Sequence, residues 1–331
     1  MLSIESSLNL HCKKFILNIY NTTHKSASDT QQSPAEIGRL MRRASLFSLM
    51  VGLILMALKA VAWSYTDSLS IMSSLTDSML DVFASTMNFV AIRYSLQPPD
   101  AEHRFGHGKA EDLATLAQST FICGSGIFLI FISIKRIFMP EPISNSIIGI
   151  GVMCVSIVLS IALVAYQRHV TRKTSSGAIA ADALHYFIDF LTNIGVIVAL
   201  ILTSSFGWKA ADPIIALCIA VYIIFGAFCI GSKAFQNVMD REFSDEERAN
   251  IERIILSHTE VQGVHDLRTR KSGIYCFIQF HLDLDENISL KHAHEISDSV
   301  EAMLMEAFPN TEILIHQDPK GADDQPKQKY A

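Results

Sequence analysis

The chain has 331 residues, half of them apolar, and only 18% are charged, against roughly 25% in an ordinary soluble domain. That composition excludes a disordered chain and a small disulfide scaffold, and a net charge of −6 argues against nucleic acid as a partner, because such binders present a strongly basic face. The shortage of charge is local: residues 44–235 hold 22 charged side chains in 192 positions, while the other 139 positions hold 38. A block of that kind reads as a membrane unit with a soluble unit attached.

Residues 1–38 form a polar N-terminal extension, with an amphipathic helix expected near Phe15–Tyr20. They lack the order of basic start, apolar run and cleavage site of a secretory signal. Six apolar stretches follow, approximately Ala44–Tyr65, Leu69–Tyr94, Asp112–Phe138, Ser146–Arg168, Ala178–Thr203 and Ala211–Phe235. Each is long enough to cross a hydrocarbon core of roughly 30 Å as a helix, and lipid leaves no other way to satisfy an open segment's backbone. The expected membrane unit is a six-helix bundle over 39–235. Arg39, Arg42, Arg43, Arg93, Arg104, Lys109, Arg168, Arg172 and Lys173 fall on one side of the spans, and only Lys135, Arg136 and Lys209 on the other. The positive-inside rule puts both termini in the cytoplasm.

Residues 236–318 alternate differently. Ser244 followed by Asp-Glu-Glu opens a helix to about His258. Gly263–Arg270 and Ile274–Asp283 read as strands around Lys271-Ser272-Gly273, Ser289–Phe308 as a second helix and Thr311–Ile315 as a last strand. The order αββαβ predicts a small α+β domain of ferredoxin-like or metallochaperone-like type, helices on one face of a sheet. Residues 319–331 are a charged tail. Cys12, Cys123, Cys154, Cys218, Cys229 and Cys276 form no C-x-x-C pair and read as small buried hydrophobes.

Ionisable groups inside a bilayer are costly and need a reason. Asp77 and Asp81 lie four apart in the second stretch, and His185 and Asp189 repeat that spacing in the fifth. Four residues are about one helical turn, so each pair shares a face. Two such helices can converge as three carboxylates and one imidazole. Structural contact between helices is the plain alternative. Three anions in low dielectric need protons or a cation, and an O/N donor set suits zinc and related transition ions better than calcium or magnesium. Lys59, near the outer end of its span, can snorkel and reads as a structural or pairing residue rather than part of transport, and Asp182 is expected to face water near the cytoplasmic end. Asp100, His103 and His107 have ligand-like spacing in a connector, where a solvated loop is as open a reading as a metal site. Half of the twelve histidines lie after residue 236, in a segment of net charge −9.

The run Ser73-Ser74-Leu75-Thr76-Asp77-Ser78-Met79-Leu80-Asp81 resembles the second-helix signature of the cation diffusion facilitator family, and His185-Tyr186-Phe187-Ile188-Asp189 its fifth-helix partner. Tyr94–Asp100 followed by His103-Arg104-Phe105-Gly106-His107-Gly108-Lys109-Ala110-Glu111 is similar to bacterial zinc/iron efflux members. The likeness covers about residues 40–318. It implies a transport site at Asp77, Asp81, His185 and Asp189, and a regulatory or capture site at Asp100, His103 and His107, with Glu102 and Glu111 as bystanders. It further implies a two-metal cluster from His265, His281, His294, His316 and Asp318, and a structural interlock through Lys109 and Asp240.

The resulting expectation is no enzyme. It is a homodimeric, multi-pass transporter of the bacterial inner membrane, exchanging cytoplasmic Zn2+ (with Cd2+ and Fe2+ as further cargo) for protons by alternating access. No organic cofactor is expected, and zinc serves both as substrate and as a bound regulatory ion. The rivals are an intramembrane hydrolase, for which the chain lacks G-x-G-D and H-E-x-x-H sequences, and a passive channel or metal sensor.

Overall fold

The computed structural model describes residue 12 and residues 33–66, 69–138, 147–208 and 210–320. The amphipathic helix expected near Phe15–Tyr20, Lys209 and most of the charged tail lie outside the described residues. The chain divides into two compact units, Ala35–Gln236 and the part from Asn237 onward.

Among the described residues the first unit holds six long helices: α1 (Pro34–Thr66), α2 (Leu69–Ser95), α3 (Lys109–Phe138), α4 (Ile147–Thr174), α5 (Gly177–Phe206) and α6 (Ala211–Val238). All but α2 contain an apolar window long enough to cross a membrane; α2 carries Asp77, Asp81 and Arg93 instead. Pro34 opens α1 where its missing N–H costs nothing, ten residues before the apolar stretch begins. Ser176 caps α5 by accepting from the Ile179 N–H, and Gly207, at φ 66°, ends it with an N–H donated to Thr203 O, as a left-handed C-terminal residue should.

α5 lies at the centre of this unit, packed against α2, α3 and α4. Its Ala181 and Leu184 pack with Ile122 of α3 and Ile223, Ala227 and Ile230 of α6. Its Tyr186, fully buried, packs with Val51, Leu55, Leu163 and Val164 of α1 and α4. The Tyr186 hydroxyl donates to Ser48 O at 3.3 Å and lies 3.1 Å from Ser85 Oγ, so one phenol joins α5 to α1 and α2. A methyl group at Gly52 would meet that hydroxyl at 2.9 Å. Small residues allow this close helix approach, as in membrane bundles generally.

Four cysteines depart from the sequence reading. Cys12 and Cys229 of α6 are joined in a disulfide. Residues 217 positions apart leave no spacing from which to read such a pairing. Cys154 and Cys218 are exposed rather than buried.

In the second unit, Ser244 and Glu247 form a reciprocal capping box at the start of α7 (Asp245–Leu256). The sheet comprises β1 (Gly263–Ser272), β2 (Tyr275–Leu284) and β3 (Thr311–Pro319), in that spatial order, with α8 (Leu290–Ala307) between β2 and β3. β1 and β2 are antiparallel, and β2 and β3 parallel, as a helical crossover requires. Ile278, Phe280, Leu282 and Leu284 alternate inward from β2 onto Ile251, Ile255, Ile296, Val300 and Leu304 of the two helices. Gln279, His281 and Asp283 therefore fall on the opposite face. β3 runs past Ile315 to Pro319, and this extra length sets His316 beside His281 and Asp318 beside Asp283.

Candidate metal centre

Helix packing in the membrane unit brings α2 and α5 face to face where each carries its acidic pair. Asp81 Oδ1 lies 3.0 Å from His185 Nε2, and Asp189 Oδ2 lies 4.0 Å from the same nitrogen. One donor atom from each of Asp81, His185 and Asp189 falls within 4.8 Å of the others. Asp77 is not in that group of three. It lines the same cavity, of about 290 Å3, one turn along α2 from Asp81. Side-chain exposure is 11% at His185, 20% at Asp81 and 32% at Asp189.

The two neighbours judged peripheral from sequence are placed otherwise. Lys59 does not reach for the interface: its Nζ donates to Ser78 Oγ at 2.7 Å and to Ser74 O at 3.2 Å, on the cavity wall. Asp182 does not face water. It is 1% exposed and accepts from Gln167 Nε2 at 2.5 Å and Gln118 Nε2 at 3.4 Å. Burial of a carboxylate is tolerable only with such donors, and hydropathy along one helix does not reveal amides arriving from two others.

The connector between α2 and α3 folds around Asp100. Its Oδ1 accepts from the N–H groups of His103 at 2.6 Å and Glu102 at 2.9 Å, a side-chain turn typical of Asp. Its two oxygens lie 3.4 Å from His103 Nδ1 and 3.3 Å from His107 Nε2. The His103 N–H in particular holds the Asp100 carboxyl below the usual range. His107 is nearly buried, and its Nδ1 has no hydrogen-bond partner. Glu102 stays exposed. Glu111 is buried and accepts from Ser176 Oγ, fastening the start of α3 to the start of α5.

On the outer face of the sheet, His265, His281 and Asp318 form a third group within 4.8 Å. Asp318 Oδ2 lies 2.6 Å from His281 Nδ1 and 3.5 Å from His265 Nε2, and Oδ1 lies 3.2 Å from His316 Nε2. Partial burial works against ionisation of Asp318, but the His281 hydrogen bond and the charges of His316, His281 and His265 outweigh it and hold its carboxyl low. Asp283, 3.1 Å from His265, joins this polar face and was missed from sequence, although its position two residues from His281 on one strand could have found it. His294 does not join the group. α8 turns Ile296 and Val300 to the core, His294 lies off that stripe, and its partner is Asp298 at 3.5 Å. Lys109 opens α3, while Asp240 lies 3.6 Å from Arg270.

Three acidic histidine clusters in a chain built of membrane-length helices agree with the comparison to known families. The model of the cation efflux transmembrane domain matches residues 45–239, and that of the cation efflux protein cytoplasmic domain matches residues 243–320. The chain belongs to the cation diffusion facilitator family. Similar relatives include cation-efflux pumps FieF of Salmonella choleraesuis strain SC-B67 and of Klebsiella pneumoniae subsp. pneumoniae, each 46% identical over 282 residues, covering 85% of this chain and 94% of the relative. A solved chain described as the putative zinc transporter CzrB in its zinc form is 31% identical over 26% of this chain and 100% of its own, with a TM-score of 0.25. This cation diffusion facilitator is therefore an integral membrane cation efflux transporter and not an enzyme. Its membrane and cytoplasmic parts correspond to the two matched domains.

Proposed function

We propose that the protein exports zinc, with Cd2+ and Fe2+ as alternative cargo, from the cytoplasm in exchange for protons, through Asp77, Asp81, His185 and Asp189. The observation that carries this reading is the meeting of Asp81, His185 and Asp189, from two different helices, in a cavity that Asp77 also lines. Carboxylates and a neutral imidazole are the donors a zinc-like ion takes. The absence of thiolate favours release, since soft sulfur ligands hold such ions tightly.

The ligands bind metal only when deprotonated, so protons arriving from outside compete for the same atoms and displace the ion. The ends of α2 and α5 need only tilt to open the site to one side and then the other, the rocking expected of secondary transporters. Asp77, one turn along α2 from Asp81 and on the wall of the same cavity, completes the ligand set.

The remaining expectations enter here as proposals. The protein is a homodimer in the bacterial inner membrane with both termini cytoplasmic. The transmembrane domain spans 39–235 and the metal-binding domain 236–318. The loop group Asp100, His103 and His107 captures metal, with the His107 Nε2 that faces Asp100 Oδ2 at 3.3 Å as its buried donor. His265, His281, His316 and Asp318 hold regulatory zinc, with His294 reaching it only across a subunit contact. Lys109 and Asp240 act as a structural interlock.

The test is flux in proteoliposomes under an imposed pH gradient, with Zn2+, Cd2+, Fe2+ and Mn2+ offered in turn. Asp81→Ala is expected to reduce zinc flux at least about a hundredfold, the order of effect of removing a bound-ion contact worth about 3 kcal/mol. Wild-type flux in that variant sinks the site assignment. Flux indifferent to the pH gradient sinks the coupling.

A further inference from the structure

The cavity that holds the three carboxylates also holds an ammonium. Among the described residues lining it, Lys59 is the sole lysine or arginine. Lysine near a helix end normally runs its stem along apolar surface to reach water. Here Nζ is instead tied to Ser78 Oγ at 2.7 Å and Ser74 O at 3.2 Å. Both belong to α2, on either side of Asp77, so α1 presents its charge to the very helix that carries Asp77 and Asp81. The ammonium also acts electrostatically on Asp77 and on Asp189.

Formal charge gives this placement a meaning. Asp77, Asp81 and Asp189 contribute −3 in all, and Lys59 brings the wall to −2 when His185 is neutral. A divalent cation then leaves the cavity neutral. Uncompensated charge is expensive where water is scarce, because Coulomb energies grow as the local dielectric falls. Without Lys59, the same wall would hold a divalent ion with one negative charge in excess. It would bind that ion more tightly and release it more slowly.

We propose that Lys59 is a built-in counter-charge of the transport site, a specificity-determining residue that matches the cavity to a divalent cation and weakens its hold enough for release. The proposal rests on the assignment of the transport site above. It requires no change of protonation at Lys59, only that the ammonium stays in place while the ion comes and goes.

The test uses the full-length protein in proteoliposomes, with zinc flux measured against zinc concentration for Lys59→Met, Lys59→Gln and Lys59→Arg. Removing the charge is expected to lower KM about tenfold and kcat by a similar factor, leaving kcat/KM within about threefold of wild type. Such a split marks a bound state that has become too stable. Lys59→Arg is expected to keep both constants within about threefold. A helix-packing role would lower kcat without lowering KM. The proposal is overturned if neither folded neutral variant shows the lower KM, or if Lys59→Arg behaves like Lys59→Met. Asp81→Ala in the same assay separates the two readings: its normal flux removes the site itself, whereas its inactivity with an unchanged KM in Lys59→Met removes only the role of Lys59.

Discussion

In the membrane unit, Asp81 and His185 approach to 3.0 Å because two separate helices pack side by side. In the cytoplasmic unit, His281 and Asp318 approach to 2.6 Å because they stand on adjacent hydrogen-bonded strands in fixed register. The donor chemistry is the same, and the support differs. Helices keep their hydrogen bonds to themselves, so α2 and α5 can tilt or slide past one another and change the spacing of their ligands without breaking the backbone. A ladder cannot shift by one residue without turning every side chain to the other face. On the function proposed above, one support suits an ion that must leave, and the other suits an ion that stays.

The sharpest way to break this comparison is to damage the fixed support alone. Phe280→Ala, in the core of the sheet unit, is expected to destabilise that unit by about 3–5 kcal/mol. Denaturant unfolding followed by domain-specific probes should show the cytoplasmic transition moving while that of the helices does not; a common shift of both would mean the two supports are one cooperative body. A smaller effect is expected from Asp318→Ala. Zinc retention by the cytoplasmic cluster should drop at least about tenfold, a scale reached even by outer partners of metal ligands, with flux within about threefold of wild type. Metal analysis after dialysis and a flux assay check the two halves, and flux lost as completely as in Asp81→Ala would make the resident ion part of the transport path.

The smallest effect concerns pH. Hydrogen bonds to Glu260, and next to Glu295, hold the His292 imidazole above its ordinary value of 6.5. A raised value stabilises the fold fully below the unfolded pKa, and the contribution is lost as pH rises through the folded one. Glu260→Gln is expected to lower the His292 titration midpoint, read by NMR of labelled histidine. An unmoved midpoint would remove the pair from the account of this surface.

Much of this architecture is legible in the chain because it follows from local rules. Apolar lengths of a bilayer's thickness mark every membrane-unit helix but α2, Ser244 with Glu247 marks the start of α7, and the alternation around His281 marks β2. Carboxylates four apart mark a helix face. What escapes is set by neighbours distant in sequence. Asp182 is buried because Gln118 and Gln167 reach it from α3 and α4, and Lys59 turns inward because Ser74 and Ser78 receive it from α2. His294 lies off the apolar stripe of α8 and pairs with Asp298 within the same helix. The extra length of β3 is hidden because His316 and Asp318 are polar on the outer face, while on the inner face the apolar alternation gives way to Gln317, which donates to Ala293 O and Ser297 Oγ of α8.

Asp182, His185 and Asp189 follow one another at intervals of three and four residues, so they ride on a single stripe of α5. Exposure rises along that stripe from 1% at Asp182 to 9% at His185, and Asp189 beyond them is half-buried. A rod that carries a buried polar contact near one end and the proposed transport residues beyond it moves both by any tilt. A shift of α5 must therefore also reset the contacts of Asp182 with Gln118 and Gln167, whereas a change confined to α2 moves Asp77 and Asp81 and leaves those contacts in place.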